Sequence, residues 1–191
     1  MAVIVPSHLP DGTRSVGERI VFDALRQGLP DEWTVIHSLA WLDDRNRDRL
    51  REGECDFIIL HPAHGMLAVE TKSGDVKYVG LEKEWRHADG TPMKDPFLQA
   101  QSSAHYLNAY LAARVPAWAQ IRPPFGHCVA LPEADGMTGA LPPHVTPDVL
   151  ITRVDLAKLE VRVTQVLRRF ARHATPGLSP SSTSTVCASM S

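Results

Sequence analysis

Residues 54–72 read Glu54-Cys55-Asp56-Phe57-Ile58-Ile59-Leu60-His61-Pro62-Ala63-His64-Gly65-Met66-Leu67-Ala68-Val69-Glu70-Thr71-Lys72, or ECDFIILHPAHGMLAVETK. Two apolar runs flank a Pro/Gly turn, and each run is short enough for a buried strand, so the stretch predicts a β-hairpin. Yet Asp56, Glu70 and Lys72 stand at the outer ends of these runs. A strand that is otherwise buried gains nothing from charge unless the charge has a partner or a task.

The register gives the charges a common address. If residues 61–65 form the turn, Ala63 is its centre, and opposed residues have numbers summing to 126, as Asp56 and Glu70 do. Side chains alternate with period two along a strand, so Asp56 and Glu70 face each other and Lys72 falls two places further along the same face. Opposed Cβ atoms lie about 5 Å apart, and two ionised carboxylates there would repel by roughly 3 kcal/mol at an effective dielectric near 20. A divalent cation removes that conflict, and hard oxygen donors suit Mg²⁺ or Mn²⁺. Lys72 beside such a cation can polarise an attacking water or neutralise charge on a phosphorane. Phosphodiester hydrolysis needs these parts.

Working outward, Ser15-Val16-Gly17-Glu18 introduces a helix over residues 16–27, with Ile20, Val21, Ala24 and Leu25 at helical spacing and Gly28-Leu29-Pro30 as its stop. Glu18 completes the pattern S-x-x-E, so a capping-box acid and a site acid remain alternatives for it. Thr34–Leu39 suits a strand, and the charged run 43–53 suits a solvated connection. After Lys72 one or two short strands are expected, then a helix over 97–114 with Leu98, Ala104, Leu107, Tyr110 and Leu111 as its apolar stripe. Gln99 and Gln101 point about 200° apart on that helix, so only one is expected to face the sheet, leaving Gln101 solvated. A strand at 125–131 follows, then a Pro/Gly-rich loop that leads to Val149-Leu150-Ile151 and a helix over 155–173.

From 153 to 173 there are six Lys or Arg against two acids, a local charge of +4 that makes Arg168, Arg169 and Arg172 candidate contacts to nucleic acid. Residues 174–191 have no charge and are rich in Ser and Thr, a composition that predicts disorder; the abrupt loss of charge raises the expectation that a downstream part is missing.

The chain of 191 residues is 43% hydrophobic and 22% charged, which suits one α/β domain with a mixed central sheet flanked by helices. A formal charge of −2 excludes a coat that holds nucleic acid by bulk electrostatics alone. Cys55, Cys128 and Cys187 are odd in number and lack C-x-x-C spacing, so neither a disulfide framework nor a zinc knuckle is expected, and a reduced cytoplasmic interior is. No apolar run approaches the roughly 20 residues of a membrane span, and a soluble chain without membrane contact is expected. His61 and His64 flank the hairpin turn, remote from Asp56, and the other histidines offer no H-x-x-x-H face. Trp33, Trp41, Trp85 and Trp118 are expected in packing roles, and Tyr106 in the core.

Asp56, thirteen intervening residues, then Glu70-Thr71-Lys72 resembles the D-xn-E-x-K core of the PD-(D/E)xK nucleases, and its surroundings resemble their nuclease-related domain, the NERD family. The matching residues are Gly17-Glu18, Gly65, Gly74, Trp85 and Asp95-Pro96-Phe97-Leu98-Gln99, over roughly residues 15–115. The chain departs from the pattern at Asp95, where the family more often has Asn, and at Cys55, where a small or apolar residue is usual. The resemblance implies a restriction-endonuclease-like core and a Mg²⁺- or Mn²⁺-dependent nuclease acting on DNA. Asp56 and Glu70 would be metal ligands, Lys72 the catalytic lysine, Glu18 a helix-borne acid near the metal, and Gln99 a residue positioned toward the site.

The expected organisation is 1–14 lead, 15–131 nuclease-like core, 132–173 loop and basic helix, and 174–191 tail. The region from Phe125 resembles the linker between such a domain and a superfamily 1 helicase, so a helicase is an expected partner; no Walker motif follows, and no ATPase is expected. Two other readings stand beside the nuclease: a non-catalytic module that binds nucleic acid or a helicase, and a metal-dependent hydrolase of small phosphates.

Overall fold

The computed structural model describes residues 1–10, 12–13, 15–43, 51–137 and 141–171. The elements are β1 Val3–Val5, α1 Val16–Gly28, β2 Thr34–Asp43, β3 Arg51–His61, β4 Gly65–Thr71, β5 Val76–Val79, β6 Glu84–His87, β7 Pro92–Met93, α2 Pro96–Arg114, α3 Pro116–Ile121, β8 Phe125–Leu131, β9 Leu150–Thr152 and α4 Leu159–Ala171. Six strands form one mixed sheet in the order β1-β2-β3-β4-β8-β9, while β5-β6-β7 form a separate small sheet.

The hairpin decides the centre of the sheet. His61 pairs with Gly65, Leu60 with Met66 and Phe57 with Val69, so opposed numbers sum to 126 throughout the ladder. Every residue of β4 is buried, because β3 and β8 flank it and helices cover both faces. On one face α1 and α4 lay Phe22, Leu25, Val163 and Leu167 against Phe57, Ile59, Leu67 and Val69. On the other, α2 and α3 lay Ala104, Leu107, Leu111 and Trp118 against Ile58, Leu60, Met66 and Ala68.

Several expectations change. β2 and β3 run on to Asp43 and from Arg51, because Leu39, Ala40, Trp41 and Leu42 keep pairing with Cys55, Glu54, Gly53 and Glu52. The expected connection therefore shrinks to residues 44–50, outside the described residues. The apolar start Val3–Val5 is not a mere lead but an edge strand parallel to β2. The expected boundary at residue 131 falls between paired neighbours, since β9 pairs with β8, and α4 buries Leu159, Val163, Val166 and Leu167 in the same core. β8, β9 and α4 thus share one core. On α2, Leu98 and Tyr110 point outward, and Phe97 and Ala100 take the buried places. The expected disordered tail and the last residues of the basic helix, Arg172 included, lie outside the described residues. No helix among those described is long and apolar enough to cross a membrane.

Candidate active site

The hairpin ladder ends at Phe57 and Val69, one step before the two acids. There the Asp56 carboxylate replaces the missing ladder bond: its Oδ2 accepts the Thr71 N–H at 2.7 Å. Glu70, only 4% exposed, accepts from Lys72 Nζ through Oε1 at 2.5 Å. Lys72 is tied down by its own amide, which donates to the Ala130 carbonyl of β8 at 3.0 Å. Strand alternation sets Glu70 on the face of Met66 and Ala68, the face that α2 covers.

Glu18 arrives from the other side of the sheet. Ser15 caps α1 by accepting the Glu18 N–H at 3.1 Å, which is half of a capping box. The Glu18 carboxylate turns instead to His37, with Oε2 at 3.2 Å from Nε2. What brings this helix end to the site is Ser73, the residue after Lys72, whose Oγ accepts the Gly17 N–H at 2.8 Å. A Cβ on residue 17 would stand 2.9 Å from that same Oγ, so only glycine admits the contact. Gly17-Glu18 and Lys72-Ser73 are therefore two halves of one clamp.

Electrostatics bear the marks of this crowding. Burial first, then the Glu70 charge, push the Asp56 carboxyl up to about 7, with Glu18 adding to the rise and the Thr71 amide and Lys72 opposing it. Glu70 is also held above its ordinary range, mainly by burial, with Lys72 opposing and Glu18 and Glu54 adding. Two half-desolvated carboxylates that resist simultaneous ionisation are a donor set that a cation would complete. No group of three His, Cys, Asp or Glu among the described residues is drawn together as a metal ligand set.

Gln99 has a different place. Asp95 caps α2 through Oδ1, accepting from the Phe97 and Leu98 amides at 2.9 and 3.0 Å, and Pro96 sits at its first position. An Asn would cap equally well, so the departure at Asp95 leaves the helix start unchanged. Gln99 follows in the first turns and lines an open cleft of about 1050 Å³ with Glu54, Trp41 and Tyr106. Gln101 lines the same open cleft, which runs around the outward side of α2. Tyr106 is on the cleft wall, stacked on Trp41 at 4.7 Å between centroids. Trp33, Trp85 and Trp118 are buried, as packing roles require.

The basic helix is largely occupied with its own fold. Arg169 pairs with Asp148, and Arg162 donates to the carbonyls of Pro147 and Leu150. Arg168 is exposed. Cys55 and Cys128 are free, buried thiols.

Reading by residue type missed three neighbours of the site. Ser73 had a signal in its place directly after E-x-K; His37 and Glu54 had none, because their positions depend on a break in β2. Ser38 adopts a left-handed conformation, φ 57°, opposite Asp56, and the β2–β3 ladder skips that pair. Its hydroxyl bonds the Glu54 carboxylate.

A family model described as nuclease-related domain, NERD, matches residues 13–132. No curated protein and no solved structure matches the chain.

Proposed function

The chain belongs to the nuclease-related domain family, and from that premise we propose that it hydrolyses DNA phosphodiester bonds with a divalent cation, Mg²⁺ or Mn²⁺. One observation carries the reading: Asp56 and Glu70, one step beyond the last pair of the hairpin ladder, lie close enough for their charges to oppose each other, and Lys72 is bonded to Glu70. Asp56 and Glu70 would hold the cation. When bound, it would supply Lewis-acid polarisation of the scissile phosphate and a more acidic water.

The rest falls to the chain. Lys72 is anchored by its amide on β8 and by Nζ on Glu70, so its ammonium stands ready to donate to a phosphate oxygen as negative charge builds there. Glu18 adds negative charge beside the pair and favours a bound cation. Gln99, on the flank of α2 that lines the cleft, has an amide free in chemical type both to donate to phosphate and to accept from a sugar or base. The reaction adds water across one P–O bond, leaving a phosphate monoester and a hydroxyl. A helicase partner and a cytoplasmic setting accompany this reading as proposals.

The test is cleavage of linear and circular, single- and double-stranded DNA by the purified chain in Mg²⁺ or Mn²⁺, with EDTA and Lys72→Ala as controls. Metal-dependent cutting that falls by 100-fold or more (order of magnitude) in folded Lys72→Ala is expected. A folded wild type that binds the metal and cuts nothing would refute catalysis and leave a binding module.

A further inference from the structure

Resting on that nuclease reading, we propose that His37 is a positioning residue of the site, whose Nε2–H holds the Glu18 carboxylate beside Asp56 and Glu70. His37 lies in β2 and is 4% exposed. Its ring stands edge-on to Phe22 of α1 at 5.9 Å and tilted against Phe57 of β3 at 4.9 Å. These two walls fix the ring plane and aim Nε2 at Glu18 Oε2, 3.2 Å away.

An ionised carboxylate only accepts, so the proton of this bond belongs to Nε2. The other nitrogen, Nδ1, is buried and has no partner among the described residues. An apolar side chain of similar size would fill the space between Phe22 and Phe57 without burying an unpaired nitrogen. What the imidazole adds is the bond to Glu18.

The arrangement divides labour between backbone and side chain. Ser73 fixes where the start of α1 lies, through Gly17. That leaves the Glu18 side chain three torsions to settle, and His37 settles them. The next residue of β2 does the same for another acid, since Ser38 bonds Glu54. Adjacent residues of β2 thus hold Glu18 and Glu54, at the point where the left-handed Ser38 interrupts the ladder opposite Asp56. Groups that orient the residues around a metal commonly matter 10- to 100-fold in metal affinity or activity.

The test uses the full chain as wild type, His37→Met, which keeps the bulk and removes the donor, His37→Gln, which restores an N–H at the place of Nε2, and Glu18→Gln. Ring ¹⁵N shifts of labelled histidine report the tautomer, electron paramagnetic resonance titration with Mn²⁺ alone reports affinity, and DNA cleavage reports kcat and KM separately. The wild type should show the Nε2–H form of His37, with shifts that move in Glu18→Gln. His37→Met should bind Mn²⁺ at least about 10-fold more weakly and lose about 10- to 100-fold in kcat with KM little changed, and His37→Gln should recover most of both.

An Nδ1–H tautomer, a His37→Met protein that binds Mn²⁺ and cuts DNA like wild type, or a folded His37→Gln as impaired as His37→Met would each overturn the role. If His37→Met fails to fold, the wild-type tautomer and His37→Gln decide. A wild type that neither binds Mn²⁺ nor cuts DNA refutes the nuclease reading itself, whereas an active wild type with an indifferent His37→Met refutes the positioning role alone.

Discussion

Replacing Asp56 by Asn should make the metal-free protein more stable at neutral and alkaline pH. The folded chain raises this carboxyl from an ordinary 3.8 to about 7. A carboxylate raised on folding contributes its full stability while it is protonated in both states, below about pH 4, and loses it as pH climbs toward 7. Three pH units correspond to roughly 4 kcal/mol at about 1.36 kcal/mol each. Asp56 keeps some access to solvent, which screens the repulsion, so about 2 kcal/mol is the expected effect. Asn keeps an oxygen to accept the Thr71 amide, so the substitution removes charge and little else.

For a domain of this size 1 kcal/mol moves the melting temperature by about 2–4 °C, giving a gain of about 4–8 °C at pH 8 that vanishes near pH 4. Thermal melts followed by circular dichroism in EDTA across pH 4 to 8.5 read this directly. Adding Mg²⁺ or Mn²⁺ should reverse the order at pH 8, because a ligand at 100 times its Kd stabilises the wild type by about 2.7 kcal/mol and has lost its site in the variant. An Asp56→Asn protein that melts at or below the wild type at pH 8 in EDTA would refute the claim that the two acids are in conflict.

Two further substitutions probe the scaffold around the site. Gly17→Ala should destabilise by about 1–3 kcal/mol through its clash with Ser73 Oγ and Thr71 Cγ2, less what alanine returns in helix propensity, and should weaken Mn²⁺ binding as Glu18 moves; urea unfolding and a Mn²⁺ titration measure the two effects. Asp95→Ala removes the two amide bonds that cap α2 and should lower stability by about 1 kcal/mol, seen as a lower urea midpoint with an unchanged m-value.

The hairpin could be read from the chain because its information is local: a turn centre at Ala63 sets a register in which opposed numbers sum to 126, and the ladder keeps it as far as Phe57 and Val69, one step short of the two acids. The helices at 16 and 96 were legible for a similar reason, as Ser15 and Asp95 are caps with apolar periodicity behind them. What escaped depends on pairs far apart in sequence. Val3–Val5 becomes a strand only because β2, thirty residues on, offers a parallel edge. His37 looked like one scattered histidine among nine, since strand alternation cannot foresee that both β2 and β3 change face at Ser38 and Asp56. Cys55 packs with Ile58 and Leu60 on the α2 face, while Phe57 lies on the α1 face. The Ser73–Gly17 clamp needed both partners in view at once.

The support that β8 gives to Lys72 has a consequence during synthesis. β4 and β8 are neighbours in the sheet but are separated in the chain by the small sheet, α2 and α3, and the Lys72 amide meets the Ala130 carbonyl only when that long crossover has closed. A nascent chain has Asp56, Glu70 and Lys72 outside the ribosome well before it has residue 130. Until then the hairpin lacks one flank, and nothing anchors the lysine's backbone. A site assembled this way comes into being late and all at once with the domain, so incomplete chains would carry its residues without its geometry.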